Sequence, residues 1–305
     1  MSDQPLEVGV IGIPGAWSSE ALADAVAERT GRRLLIDMKD VCADLEHNRL
    51  LFGDIDLCSL DALIVKKIDP VYSPSALDRL ELLRLAVSKG VSVYSHPERI
   101  LRLLDRLSCT VTLHTNNIPM PPTVISENIE VAKDAIQRFD EAVLKPLFST
   151  KARGMQVVRH GDPGLNQSLR KFQTDNKVFY IQKKIDLADR DLGLVFLGGE
   201  YIATYARIKN PESWNTTTLD GGKYAPHLPG DDLIGLAHRA QAPFGLDFTC
   251  VDMVETTDGP VVFEVSAFGG FRGLRDAHGI DAASLYTNYV LARSPRYRKG
   301  ISGAA

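Results

Sequence analysis

Cysteine is scarce in this 305-residue chain, and its four cysteines lie far apart, at Cys42, Cys58, Cys109 and Cys250. They form no Cys-x-x-Cys pair and no cluster with histidine, which argues against a disulfide scaffold and against a structural zinc site. The sequence also lacks a Ser/His/Asp or Cys/His constellation of the kind used in covalent catalysis. Reduced thiols in a cytosolic protein are the simplest interpretation.

Long apolar runs are also missing, since no segment approaches the ~20 residues that span a bilayer. The first residues, MSDQPLEVGVIG, lack the basic start and apolar stretch of a secretory signal. The formal net charge of -4 gives no general attraction to nucleic acid or to an anionic membrane. We therefore expect a soluble, cytoplasmic protein whose partners are small molecules rather than nucleic acid or membrane.

The first third of the chain alternates between strand and helix patterns. Buried strands are predicted at 6–13, 33–37, 62–66 and 91–94, and helices at 18–29 and 75–89. Ser18 or Ser19 is the expected N-cap of the first helix. Such alternation favours a parallel sheet with helices on its faces, so residues 1–96 are predicted to form a small Rossmann-like α/β domain.

Three glycines near the first strand invite comparison with a dinucleotide-binding loop. Gly9, Gly12 and Gly15 are spaced GxxGxxG rather than GxGxxG, and Pro14 occupies the turn. We interpret them as a glycine-rich turn that lets strand and helix approach closely.

The clearest change in composition follows a leucine- and arginine-rich segment, 97–118, which is predicted to be a helical linker. Pro119, Pro121 and Pro122 then interrupt helix, and we place a domain boundary there. Beyond it we predict helices at 128–139 and 231–244, strands at 141–146, 178–182, 192–197 and 201–209, and a polar loop at 212–226.

Two acids stand inside strand patterns near the C-terminus. The apolar runs 250–254 and 261–265, joined by the turn TDGP, indicate a β-hairpin that contains Asp252 and Glu264. Acids are unfavourable in strands and costly to bury unpaired. With Ser266 on the same face as Glu264, they form an oxygen-rich set of the kind that Mg²⁺ accepts beside substrate phosphates. The alternative is a strand pair whose acids face water.

A basic loop follows the strand at 141–146, which carries Lys145 at its end. The loop, LFSTKARGM, combines hydroxyl groups with Lys151, Arg153 and Gly154. Backbone N–H groups and point cations both favour polyanions, so the loop is a candidate phosphate cover. An ordinary polar loop remains the alternative.

Taken in chain order, the second half offers a strand-end lysine, a basic loop, an arginine in TYARIK, an asparagine-rich loop and the acid pair. This order resembles the ATP-grasp superfamily over essentially the whole chain, and within it the RimK-type glutamate ligases. The segment FEVSAFGGFRG is most similar to the tetrahydromethanopterin glutamate ligase group of methanogens and methylotrophs. The resemblance implies an α/β plus α+β architecture, an ATP-grasp fold with the Rossmann-like domain at its N-terminus, a small lid subdomain at 119–184 and a large subdomain at 185–305.

The same resemblance implies ATP and Mg²⁺ as cofactors and assigns roles to particular residues. It implies catalytic roles for Lys145, Arg207 and Asn215, and phosphate contacts for Arg106, Lys145, Lys151 and Arg153. It implies base and ribose contacts for Gln182, Lys183, Ile185 and Asp189, and Mg²⁺ ligation by Asp252, Glu264 and Ser266.

Three positions depart from the family's pattern. Arg106 replaces the usual lysine after aspartate, which keeps the charge but changes the geometry. Gly193 stands where the RimK type reads arginine in Asp-Ile-Arg, and that arginine commonly helps to hold substrate. Ser266 replaces an asparagine, whose carbonyl is a stronger metal ligand.

The implied function is ATP-dependent amide formation through an acylphosphate, with glutamate or a similar amino acid added to a tetrahydromethanopterin- or methylofuran-type cofactor precursor. The resemblance also implies a homo-oligomer. The alternative, favoured by Gly193 and Ser266, is a nucleotide-binding protein that has lost catalysis and acts as a regulatory or scaffold partner. The retained acid pair argues against it.

Overall fold

The computed structural model describes residues 6–187, 189–217 and 221–294. Its N-terminal elements are β1 Val8–Ile11, α1 Trp17–Thr30, β2 Leu35–Ile36, β3 Val41–Asp44, β4 Arg49–Phe52, β5 Ile55–Asp56, β6 Ala62–Val65, α2 Pro74–Ser88 and β7 Ser92–Tyr94. The sheet order β2-β1-β6-β7 is parallel throughout, as the strand–helix alternation predicted. Strands β3, β4 and β5 form a separate small antiparallel sheet.

The predicted cap of α1 is wrong. The helix begins at Trp17 after Ala16, and no side chain caps it. Ser19 is fully buried, and its hydroxyl accepts a hydrogen bond from the Ile13 backbone N–H at 3.1 Å. A serine can bond to the loop before a helix as well as to the helix itself, and here the loop takes it.

Next come α3 Pro97–Leu104, α4 Arg106–Thr115, β8 Thr123–Ser126, α5 Ile129–Phe139, β9 Glu141–Leu144, β10 Gln156–Arg159, α6 Leu165–Asp175 and β11 Phe179–Lys183. The four strands form an antiparallel sheet in the order β10-β9-β11-β8. The sequence patterns did not indicate β10 and α6. Helix α6 buries only Leu169 and Phe172 among its eleven residues, which is too thin an apolar stripe to stand out.

The last elements are β12 Arg190–Leu197, β13 Glu200–Ile208, β14 Lys223–His227, α7 Asp231–Gln241, β15 Phe248–Thr256, β16 Gly259–Ser266, α8 Phe271–His278 and α9 Ala282–Arg293. The strands pair antiparallel in the order β14-β13-β12-β15-β16. Strand β14 corrects the prediction of a loop over its residues. It contains Pro226, and as an edge strand it tolerates a residue that cannot donate to the ladder.

The N-terminal parallel sheet and the sheet β12–β16 pack against each other, whereas the sheet β8–β11 has an apolar core of its own. Two apolar clusters each combine side chains of the N-terminal parallel sheet with side chains of the sheet β12–β16. The third cluster is confined to the sheet β8–β11 and its helices, within residues 124–181. The cleft between the sheet β8–β11 and the two sheets that share a core holds the site described below. The predicted boundaries of the four segments 1–96, 97–118, 119–184 and 185–305 stay a prediction.

In the described ranges, every helix is too short or too polar to cross a bilayer.

Candidate active site

A cavity of about 560 Å³ lies where the three larger sheets meet. Eleven of the thirteen site residues proposed from the sequence line it, namely Arg106, Lys145, Lys151, Gln182, Lys183, Ile185, Arg207, Asn215, Asp252, Glu264 and Ser266. Arg153 and Asp189 are exposed and lie outside this lining. The fold therefore gathers residues that are up to 160 positions apart in sequence.

The two acids of the C-terminal hairpin are direct neighbours. Asp252 on β15 pairs with Glu264 on β16, and the register shifts just after Asp252. The Asp252 side chain is 14% exposed, whereas that of Glu264 is 40% exposed. Burial raises the pKa of Asp252 to about 7; Arg207 opposes the rise, and the nearby Glu264 and Asp191 add to it. A site that gathers negative charge in this way favours a bound cation.

Two arginines hold these acids. Arg207, on β13, donates to both oxygens of Asp191 at 2.8 and 2.7 Å and contacts Asp252 Oδ2 at 3.1 Å. Arg106 opens α4 and donates to Glu264 Oε2 at 2.8 Å, with Nε directed at the Pro146 carbonyl at 3.3 Å. Carboxylates thus fix the position of each guanidinium group at the cavity wall, where its positive charge can attract an anion.

Lys145 follows β9 and is buried. Its Nζ donates to Gln182 Oε1 at 2.5 Å, and the Gln182 amide in turn donates to Thr123 Oγ1 at 3.0 Å. Burial lowers the pKa of Lys145 to about 7, the nearby Arg106 adds to this, and Glu264 opposes it. An added anion would stabilise the charged form of this lysine.

Ser266 lines the cavity, but its hydroxyl already has partners. It accepts from the backbone N–H groups of Phe268 at 3.3 Å and Gly269 at 3.1 Å. A hydroxyl has two acceptor lone pairs, so its remaining capacity is to donate. In the described ranges no group of three or more histidine, cysteine or acidic residues could hold a metal ion. Of the three acids that line the cavity, Asp191 binds Arg207 with both oxygens, and Asp252 and Glu264 are the two that we consider for Mg²⁺.

The segment proposed to hold adenine lies at the end of β11. The backbone N–H of Lys183 donates to the Pro122 carbonyl at 2.8 Å, so the protein itself already takes this N–H. The exposed Asp189 accepts from the Lys209 N–H through its own carbonyl at 2.7 Å.

Sequence reasoning missed Asp191, which is buried and binds Arg207 with both oxygens. An acid directly before the apolar strand pattern 192–197 was the available signal. It also missed Lys66 and Lys67, which follow β6 and line the same cavity. Polar residues at the carboxyl end of a parallel strand were the available signal there, because ligands bind at that edge.

The glycine that departs from the family's Asp-Ile-Arg has a packing reason. Gly193 lies opposite Tyr205 on the neighbouring strand, and a Cβ at position 193 would overlap the Tyr205 ring. Gly273 also leaves room for this ring. Tyr205 therefore occupies the space beside Gly193.

Comparison with known proteins decides the family. The model of the RimK-like ATP-grasp domain matches residues 104–290. The chain belongs to the RimK-like ATP-grasp family. A similar curated protein is the tetrahydromethanopterin:alpha-L-glutamate ligase of Methanosarcina acetivorans, which is 26% identical over 91% of this chain and 96% of its own.

Solved structures of ATP-grasp proteins show the same fold. The RimK domain ATP-grasp protein of Sphaerobacter thermophilus is 21% identical with a TM-score of 0.73, over 93% of this chain and 98% of its own. The ATP-grasp ligase PsnB, solved with a precursor variant, Mg and ADP, is 14% identical with a TM-score of 0.72, over 96% and 100%. The ATP-grasp fold inferred from the motif order is confirmed, and this RimK-like protein is an ATP-dependent ligase that forms carbon–nitrogen bonds.

Proposed function

We propose that this ligase joins a carboxylate of a pterin-type cofactor precursor to the amino group of glutamate, using ATP and Mg²⁺. The observation that carries the proposal is the cross-strand pair Asp252–Glu264, which lines one cavity together with Lys145 and Arg207. The similarity to the tetrahydromethanopterin:alpha-L-glutamate ligase of Methanosarcina acetivorans supports glutamate and a pterin, because the two chains align over nearly their full lengths.

The proposed amide formation has two steps. A carboxylate oxygen of the acid attacks the γ-phosphorus of ATP, which forms an acylphosphate and displaces ADP. The amine nitrogen then attacks the acyl carbon, loses a proton and expels phosphate, which leaves an amide. Phosphoryl transfer of this kind needs charge neutralisation and alignment rather than a protein nucleophile.

The chain's cations supply that neutralisation. Arg106 and Arg207 are bound to the same acids that a metal would take, at 2.8 Å from Glu264 and 3.1 Å from Asp252. With Asp252 and Glu264 holding a metal, Arg106 and Arg207 would be able to donate to the phosphates, while Asp191, which binds Arg207 with both oxygens, would keep that arginine in place. Lys145 adds a buried ammonium group whose charge a phosphate stabilises.

The residues present fit Mg²⁺. Two adjacent carboxylates with few other donors form a hard, oxygen-only set, and the raised pKa of Asp252 marks a place that favours a cation. Asp252 and Glu264 would hold the Mg²⁺, which would offset the negative charge of the phosphates. The family resemblance implies Ser266 as a third ligand; we propose instead that it holds the turn to Gly269 and donates its hydroxyl proton toward an anion in the cavity.

The test is turnover with defined substrates. Purified protein with ATP, Mg²⁺, glutamate and a tetrahydromethanopterin precursor lacking glutamate should release ADP and yield the glutamyl amide, detected by mass spectrometry. The variant Asp252→Asn/Glu264→Gln should lose turnover while keeping its circular dichroism spectrum. The matched variant Asp231→Asn/Asp232→Asn, on the exposed start of α7, should keep activity.

Each outcome separates the hypotheses. No ADP above background with any acceptor, together with tight ATP binding, would favour the non-catalytic nucleotide-binding protein. Full activity in Asp252→Asn/Glu264→Gln would remove the metal assignment.

A further inference from the structure

The family resemblance implies that Gln182 contacts the base of ATP, whereas the structure binds its side chain to Lys145. Gln182 lies on β11, where it pairs with Thr123 of β8 on one side and with Val143 of β9 on the other. It is 2% exposed, and its Oε1 accepts from Lys145 Nζ at 2.5 Å. This bond is charge-assisted, because its donor is an ammonium group.

Two hydroxyl groups fix the direction in which the Gln182 amide points. Its Nε2 lies 3.0 Å from Thr123 Oγ1 and 3.4 Å from the Tyr180 hydroxyl oxygen. Thr123 donates its hydroxyl proton to the Pro121 carbonyl at 2.8 Å, so toward Gln182 it can only accept. The amide nitrogen therefore points at the hydroxyl groups, and the amide oxygen points at Lys145.

The Tyr180 hydroxyl continues this chain of donors to α4. It lies 2.8 Å from Thr110 Oγ1, and Thr110 donates its own proton to the Arg106 carbonyl at 2.8 Å. Thr110 thus accepts from Tyr180, whose oxygen is left to accept from Gln182. A flipped Gln182 amide would place its two N–H groups against the Lys145 ammonium group, so the network permits one orientation.

The charged groups near Lys145 act on it in opposite directions. Burial and Arg106 disfavour its positive charge, whereas Glu264 favours it. Glu264 is already bound to Arg106 at 2.8 Å, so its carboxylate is shared between the two cations. The Gln182 oxygen is therefore the close acceptor that stabilises the Lys145 ammonium group before a ligand binds. An ammonium group has three donors, which leaves two for an anion.

We propose that Gln182 is a positioning residue, which acts on the nucleotide through Lys145 and not by contact with the base. Its Oε1 atom keeps the Lys145 ammonium group charged and in one place, so that the two remaining donors reach the phosphates. Thr123 and Tyr180 hold the Gln182 amide in the orientation that this requires. The inference rests on the proposed function, because that function assigns Lys145 to the phosphates of ATP.

The test is a double-mutant cycle on nucleotide affinity. Calorimetry gives the dissociation constant of a non-hydrolysable ATP analogue with Mg²⁺ for the wild type, Gln182→Met, Lys145→Met and the double variant. We expect Gln182→Met to weaken binding by about tenfold in the otherwise wild-type protein. In the Lys145→Met protein the same substitution should change the affinity by about twofold or less, because a residue that acts through Lys145 has no ammonium group left to position.

Two smaller changes test the network while keeping Gln182. Tyr180→Phe and Thr123→Val each remove one hydroxyl group and nearly keep the shape of the side chain. Each should weaken binding of the ATP analogue by about two- to fivefold, and neither should weaken it further in the Lys145→Met protein. The control Gln173→Met makes the same substitution on α6, where Gln173 donates to the Glu127 carbonyl outside the cavity, and should bind as the wild type.

Additive losses in the double variant would overturn the inference, because they would show that Gln182 contacts the nucleotide itself. Unchanged or tighter binding by Gln182→Met would overturn it as well. If circular dichroism shows that Gln182→Met does not fold, the cycles of Tyr180→Phe and Thr123→Val with Lys145→Met decide in the same way. A loss that persists in the Lys145→Met protein then contradicts the inference.

Failure of the proposed function looks different. A wild-type protein that does not bind the ATP analogue with Mg²⁺ would refute the ligase proposal and, with it, the phosphate role of Lys145. Failure of the inference about Gln182 alone leaves both the wild-type affinity and the loss in Lys145→Met intact.

Discussion

The buried carboxylate of Asp252 should make the stability of this protein depend on both pH and Mg²⁺. Its pKa is about 7 in the folded protein and near 3.8 when exposed. Between these two values the folded state keeps a proton that the unfolded state releases, so the free energy of unfolding falls as pH rises from about 4 to 7. Each pKa unit corresponds to about 1.4 kcal/mol, which limits the fall to about 4 kcal/mol.

Mg²⁺ should reverse this loss, because the metal binds the ionised carboxylate. At pH about 5.5 only about 3% of a group with this pKa is ionised, so the apparent affinity for Mg²⁺ should be about thirtyfold weaker than at pH about 8. Urea unfolding of the wild type and of Asp252→Asn, with and without Mg²⁺ at both pH values, measures the effect. Lys145, whose pKa is lowered to about 7 in the folded state, affects stability mainly above that pH, and the Asp252→Asn comparison subtracts it.

Two results would refute the reasoning. One is an Asp252→Asn protein with the same loss of stability between pH about 5 and 7 as the wild type. The other is equal stabilisation by Mg²⁺ at acidic and alkaline pH.

Two further substitutions test the cavity and its packing. Lys145→Met should weaken the binding of an ATP analogue, measured by calorimetry, by about ten- to a hundredfold. The substitution should cost little stability in urea unfolding, because it removes a buried charge. Unchanged affinity for the ATP analogue would contradict the phosphate role of Lys145. Gly193→Ala should lower the free energy of unfolding by about 1–3 kcal/mol, because the added methyl group overlaps the Tyr205 ring. Adding Tyr205→Val should recover part of that loss. Additive losses in the double variant would show that residues 193 and 205 do not clash.

The order of elements could be predicted from the sequence. Strand and helix periodicity located the parallel sheet, and the turn TDGP between two apolar runs located β15 and β16. The same two runs singled out Asp252 and Glu264 as a pair, because an acid is unfavourable in a buried strand unless something compensates it. These signals are local, since each depends on residues a few positions apart.

Only the tertiary structure decided what those residues touch. Asp191 meets Arg207 because β12 pairs with β13, and Arg106 reaches Glu264 from 158 residues away. Strands β10 and β14 form because β9 and β13 supply backbone hydrogen-bond partners for them. Lys66 lines the cavity because the N-terminal parallel sheet shares an apolar core with the sheet β12–β16. Pairing and packing between distant segments set the charge and shape of the site, and no window of sequence contains both partners.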